Sequence, residues 1–200
     1  ERLDRPELTQ RLMAQAPRRS PASSEETISA VDLQQLKTLA AQGNASAQNR
    51  LGGLYFSGQG VPQNYTTAKA WYERAAAQGN AWSKNQLGQL AADGRGEPQD
   101  YKKARQWWEQ AATQGIGIAQ AQYNLGQLYA TGRGVAQDYT TARVWYEKAA
   151  AQGNAWAQAQ LGELYATGRG VAQDHKTARE WFGKAAAQGN TWAQAQLALL

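Results

Sequence analysis

The pair Gln-Gly recurs five times along this chain, at Gly43, Gly79, Gly115, Gly153 and Gly189, with spacings of 36, 36, 38 and 36 residues. A leucine keeps step with it at Leu51, Leu87, Leu125, Leu161 and Leu197. A period of this length restricts the chain to a stack of like units. Each unit is too small to bury its own apolar face and does so only against a neighbour. The best-preserved unit runs from Asn154 and reads NAWAQAQLGELYATGRGVAQDHKTAREWFGKAAAQG. Four full units and the start of a fifth are present.

Each unit reads as two helices. In the first, Leu161, Leu164 and Tyr165 fall at i, i+3 and i+4, an apolar stripe of helical period. Paired glycines then break it, Gly168 and Gly170 here, with Gly58 and Gly60, Gly94 and Gly96, and Gly132 and Gly134 in the other units. Asn64, Asp100, Asp138 and Asp174 follow four residues after the second glycine and are suited to cap a helix N-terminus. The second helix carries Tyr65, Ala68, Trp71, Tyr72, Ala75 and Ala76 on one stripe. It stops at Gly79, and Asn80 at once caps the next helix. So short a turn predicts antiparallel, closely packed neighbours.

Gly52, Gly88, Gly126 and Gly162 follow the key leucine in mid-helix, where glycine costs ~1 kcal/mol relative to alanine. Their recurrence implies that another helix must approach closely there. Ala68, Ala104, Ala142 and Ala178 are expected to be the opposing surface. The pairs Trp71-Tyr72, Trp107-Trp108, Trp145-Tyr146 and Trp181-Phe182 are expected to fill the space between hairpins.

The pattern L-G-x-x-Y followed by A-x-x-x-[aromatic]-x-x-A, as in Leu51-Gly52, Tyr55, Ala68, Tyr72 and Ala75, matches that of the tetratricopeptide repeat. The gap from Tyr55 to Ala68 is about four residues longer than a 34-residue unit allows. The added stretch is G-x-G-V-x-Q-[DN]-Y. With it the chain resembles the Sel1-like repeat in its bacterial form, over residues 44–200. The resemblance implies an all-α fold, an α/α solenoid or superhelix of helix-turn-helix repeats acting as an adaptor or scaffold. It also implies a bacterial protein, often an exported or envelope-associated one. The compartment stays unknown, with periplasm or export favoured over cytoplasm. Some relatives carry a disulfide in every repeat; this chain has no cysteine, so nothing particular to them carries over.

Residues 1–24 stand outside the array. Pro6 to Ala16 read as one short helix and residues 17–24 as a linker. Residues 25–43 resemble a second-type helix that caps the N-terminal face, with Ile28, Val31, Leu36, Leu39 and Ala40 apolar. The array then covers residues 44–200, four repeats plus a C-terminal capping helix. Leu197 is followed by Ala198 where the other units have glycine, which favours a true end of the array over truncation. The 38-residue spacing reflects an insertion around Ile116, Gly117 and Ile118. It is read as packed between units, or else as a bend or an exposed contact.

Composition narrows the function classes. Residues 1–40 balance six basic against six acidic side chains, whereas residues 41–200 hold fifteen and ten. The bases are interleaved with Asp and Glu, unlike a nucleic-acid track. No apolar run approaches the ~18 residues of a membrane span. One histidine and no cysteine do not make a typical zinc site or a nucleophile–base pair. His175 stands in the slot of Tyr65, Tyr101 and Tyr139. Glu73, Glu109 and Glu147 recur with the repeat, as solvated faces do. The G-x-G loops lack the strand and third glycine of a dinucleotide site. No catalytic residue, cofactor or metal is expected.

The candidate site is a surface. Trp82, Trp156 and Trp192 each lie five residues before the key leucine, about 140° around the helix from it. Gln86, Gln89 and Asp93 continue that face below Trp82; Gln160, Glu163 and Thr167 do so below Trp156. In tetratricopeptide-like arrays the first helix lines the concave surface, so these residues form either a binding ladder or contacts with the neighbouring repeat. Arg95, Arg133 and Arg169 sit between the loop glycines and form either a row facing an acidic partner or solvated loop charge. The expected function is a protein–protein adaptor gripping a protein or peptide on the concave face. Its alternative is a module that stacks a glycan or peptidoglycan fragment on the tryptophans.

Overall fold

The computed structural model describes residues 28–113 and 119–200. The expected extension 1–24 and the insertion around Ile116, Gly117 and Ile118 lie outside the described residues. Those described form ten helices and no strand: α1 (Ala30–Ala41), α2 (Ala45–Ser57), α3 (Tyr65–Ala77), α4 (Ala81–Asp93), α5 (Tyr101–Ala112), α6 (Ala119–Thr131), α7 (Tyr139–Ala151), α8 (Ala155–Thr167), α9 (His175–Ala187) and α10 (Thr191–Leu197). Helices α2, α4, α6 and α8 are the first (A) helices of four hairpins and α3, α5, α7 and α9 the second (B) helices. The fold is an α/α solenoid.

The repeated polar motifs are the end-fittings of these helices. Asn44, Asn80, Asn154 and Asn190 accept the N–H three residues ahead and start α2, α4, α8 and α10. Asn64, Asp100, Asp138 and Asp174 do the same for the B helices. The Thr141 and Thr177 hydroxyls also donate to Asp138 and Asp174 at 2.6 Å; these bonds hold both carboxyls below the usual range. At the other end of each A helix the last carbonyls are orphaned. The loop glutamine answers one of them: Gln63, Gln99, Gln137 and Gln173 donate to Phe56, Ala92, Ala130 and Ala166 at 2.7–2.9 Å. Gly58, Gly94 and Gly168 end their A helices at positive φ.

The core is a row of five clusters rather than one centre, as stacked hairpins require. Within each hairpin the mid-helix glycine faces a ring, not the alanine expected from the sequence. A Cβ on Gly52 would lie 2.7 Å from Tyr72, on Gly88 2.4 Å from Trp108, on Gly126 2.5 Å from Tyr146 and on Gly162 2.7 Å from Phe182. Glycine is needed because the aromatic ring lies against the A-helix backbone. Ala68, Ala104, Ala142 and Ala178 are fully buried, but the atoms nearest a Cβ on each glycine belong to the ring.

Both aromatics of each pair pack between hairpins, as expected, and they do so in opposite directions. Tyr72, Trp108, Tyr146 and Phe182 are buried, each lying on the glycine of its own A helix and clustering with the A helix of the next unit. Trp71, Trp107, Trp145 and Trp181 remain half-buried and reach back to the cluster of the preceding unit. Their outer faces carry Arg74, Lys148 and Lys184, respectively over Trp71, Trp145 and Trp181 at 4.5, 4.3 and 4.1 Å.

Helix α1 packs on α2 through Leu36 and Ala40, with Ile28 and Leu33 at the edge. Val31 and Leu39, expected on the same buried stripe, are instead exposed. They lie on the flank of α1 away from α2.

Candidate functional site: the A-helix face

The A helices lie side by side and are stitched by amides. Ser83 donates to Asn49 at 2.9 Å and Asn124 to Asn85 at 3.4 Å, each across a boundary between units. A deeper set ties helix ends together. Gln48 donates to the Ala40 carbonyl and accepts from Gln78, so one side chain joins α1, α2 and α3. Gln158, with Ala150 and Gln188, repeats this for α7, α8 and α9. Gln152 likewise donates to Gln122 at 2.7 Å. The signal for these contacts is the glutamine of each Gln-Gly pair, together with a second glutamine three residues before the key leucine in four of the five units. Periodicity alone does not distinguish a buried amide from an exposed one.

On this base stands the exposed face. Trp82 and Trp156 are 54% and 53% exposed, so both indoles offer an open surface. Trp192 does not match them. It is half-buried, edge-on to Phe182 of the preceding hairpin at 5.7 Å and 77°. Of the two readings left open by the sequence, Trp192 follows the packing one.

Below the two open indoles, Gln86, Gln89, Gln160 and Glu163 are half-buried. Gln86 bonds to the Tyr72 hydroxyl, whose burial pushes its pKa up to about 12. Gln89 donates to Asp93 at 2.9 Å. The buried Tyr146 hydroxyl, near Tyr123 and Glu163, has no hydrogen-bond partner among the described residues, and burial raises its pKa strongly.

The loop arginines are exposed and each rests on an aromatic ring. Arg95 lies over Tyr65 at 5.4 Å, Arg133 over Tyr101 at 5.6 Å and Arg169 over Tyr139 at 5.6 Å. Each guanidinium therefore rests on the first residue of the preceding unit's B helix. The second loop glycine docks at the same place, since a Cβ on Gly96, Gly134 or Gly170 would meet Tyr65, Tyr101 or Tyr139 within 3.0 Å. His175 occupies the next such slot and is exposed; no loop among the described residues lies over it.

The A-helix face opens into a cleft of about 170 Å³ between the second and third units. Gln89 and Asp93 stand on one side, Gln127 and Thr131 on the other. Trp108 and Arg133 also line it. Among the described residues no cluster of three or more His, Asp or Glu side chains is placed to hold a metal ion, and no helix is long and apolar enough to cross a membrane.

The family model for the Sel1 repeat matches residues 45–80, 83–116, 119–154 and 157–190, well over half of the chain. The chain belongs to the Sel1 repeat family. Among solved structures, this Sel1 chain is similar to a Sel1 repeat protein from Oxalobacter formigenes, at 35% identity and a TM-score of 0.78, covering 84% of this chain and 67% of that one. A protective antigen of uropathogenic Escherichia coli displaying an SLR fold is 40% identical, with a TM-score of 0.76 over 84% of this chain. The present chain spans 36% of that protein's length. An immunity protein from Pseudomonas aeruginosa shares the fold at 20% identity, with a TM-score of 0.59, covering 96% of this chain and 70% of that one. A search of the curated proteins found no match. Sel1 repeat proteins are generally protein-interaction modules and typically non-enzymatic scaffolds.

Proposed function

We propose that this Sel1 array is an adaptor that holds an extended segment of another protein along its A-helix face, with Trp82 and Trp156 as anchors. The observation that carries the reading is the exposure of these two indoles on a face otherwise made of amides and short polar side chains. Large, stiff aromatics give contact area at little conformational cost and recur as interface hot spots. The two tryptophans stand two A helices apart, roughly 20 Å at ordinary helix spacing. An extended chain rising ~3.3 Å per residue covers that distance in about six residues. Gln86, Gln89, Gln127, Gln160 and Glu163 between them supply donors and acceptors for its backbone.

Capture from bacterial lysate tests this, with the recovered protein purified and its affinity measured directly. Changing Trp82 and Trp156 together to alanine is expected to lower that affinity at least tenfold, while helicity by circular dichroism is unchanged. Lys176→Gln, at an exposed B-helix position off the A-helix face, serves as the control. Equal affinity of the double variant would refute the reading. If instead soluble peptidoglycan fragments quench the fluorescence of these two indoles and no protein is retained, the same face serves a glycan.

A further inference from the structure

The cleft between the second and third units has a charge that fixes what enters it. Asp93 lines it, but its carboxylate is already answered, one oxygen accepting from Gln89 at 2.9 Å and the other lying 3.5 Å from Arg95. Arg133 also lines it, and its guanidinium rests on the Tyr101 ring. That contact leaves the N–H edge free to donate, because stacking engages the plane of the group. With Asp93 negative and Arg95 and Arg133 positive, the local balance is one positive charge. The amide of Asn124 adds a donor at the wall, although it is shared with Asn85 at 3.4 Å.

The second joint lacks the ring that fills the first. In the first unit Phe56 lies edge-on to Tyr65 at 5.4 Å, with Arg95 over it at 5.7 Å, and occupies the space between loop and helix. The second unit has Ala92 at that position, and the space is left open. In the third unit Ala130 recurs, but Glu163 of the fourth unit stands in the slot of Gln127 and brings a negative charge. The second joint thus combines room with a cation, Arg133, that pairs with no carboxylate among the described residues.

We infer that this cleft is the specificity pocket of the array and takes one acidic side chain, Asp or Glu, of the bound segment, with Arg133 as its counter-ion. The inference rests on the A-helix face being the binding face. A carboxylate of that size fits a volume of about 170 Å³, and a charge-assisted bond to a planar guanidinium inside a partly enclosed site is stronger than one in open water.

The experiment is selection of a displayed random twelve-residue peptide library on the full chain. Enriched peptides are expected to share an Asp or Glu at one fixed position. Replacing it by Asn or Gln should weaken binding about tenfold or more, with a loss that shrinks at high salt. Ala92→Phe, which copies the first joint, and Arg133→Gln should each abolish the acidic preference, while Arg133→Lys restores part of it. Circular dichroism of each variant confirms the fold, and Arg133→Gln serves alone if the larger side chain at residue 92 is not tolerated. Binders that depend on Trp82 and Trp156 but show no acidic preference would overturn the pocket and leave the binding face standing. Absence of binders would overturn both.

Discussion

The seam inside each hairpin and the joint between hairpins solve different problems. Inside, one solution is repeated four times: a ring lies on a glycine, Tyr72 on Gly52, Trp108 on Gly88, Tyr146 on Gly126 and Phe182 on Gly162. The ring changes and the glycine does not, because 2.4–2.7 Å from a Cβ to the ring is closer than any other side chain allows. Between hairpins the plan is kept and the filling varies. Phe56 closes the first joint and Ala92 leaves the second open. Val61, Val135 and Val171 pack greasily beneath the loops, whereas Glu97 stands in that slot in the second unit. Steric exactness is demanded where two backbones meet, and tolerance is found where solvent reaches the contact. The variable joints are consequently where an array of equal units acquires an identity.

The largest expected effect comes from breaking the inner seam. Gly126→Leu drives a branched side chain into the Tyr146 ring and should cost more than ~3 kcal/mol, beyond the usual range for overpacking because the neighbours are a ring and a helix backbone. Arg133→Ala, which touches only a joint, should cost less than ~1 kcal/mol. Urea titrations of the two variants that coincide would disprove the division between seam and joint.

Opening the first joint comes next. Phe56→Ala removes a half-buried ring from between Tyr65 and Arg95 and should cost about 2 kcal/mol, less than the 3–5 of a fully buried ring. It should also lower thermal stability without abolishing the remaining cooperative transition, since stacked units communicate through nearest neighbours.

The charged joint should respond to pH. Burial raises the Glu97 pKa, but Lys103 and Lys69, which both ion-pair with it, outweigh this and hold it below the usual carboxylate value. A folded pKa below the unfolded one contributes stability above the unfolded value, and that contribution is lost as pH falls through the folded value. Acid titration followed by circular dichroism should therefore show a loss below pH ~4.5 that Glu97→Val removes. Near neutrality the same substitution is expected to be neutral or stabilising by ~1 kcal/mol, because one carboxylate oxygen is buried without a partner and the other units manage with valine.

The smallest effect has the opposite sign. Gly183 lies mid-helix in α9, and a Cβ there would meet nothing within 4 Å. Gly183→Ala should raise the unfolding free energy by ~0.5–1 kcal/mol. A destabilisation would mean that the face of α9 is more crowded than the first seam suggests.

Helix boundaries, caps and the order of hairpins were legible in the residues because each is local. Asn or Asp before an apolar run, and glycine after one, act within a single turn of chain. The face carrying Trp82 and Trp156 also followed from 100° per residue. Other features depended on which surface a side chain meets. The same period placed Trp192 with them, yet Phe182 of the neighbouring helix covers it. The same spacing placed Arg95, Arg133 and Arg169 in a row, yet tyrosines of the preceding unit support them.

A repeat written into the sequence determined that this chain must stack, how long each helix is and where it turns. What faces the mid-helix glycine, which indoles stay open and where a cleft forms were decided only when the hairpins came together. Those outcomes depend on contact between residues of different helices, from Phe182 with Trp192 to Asn85 with Asn124, and a periodicity records such contacts without naming the partner.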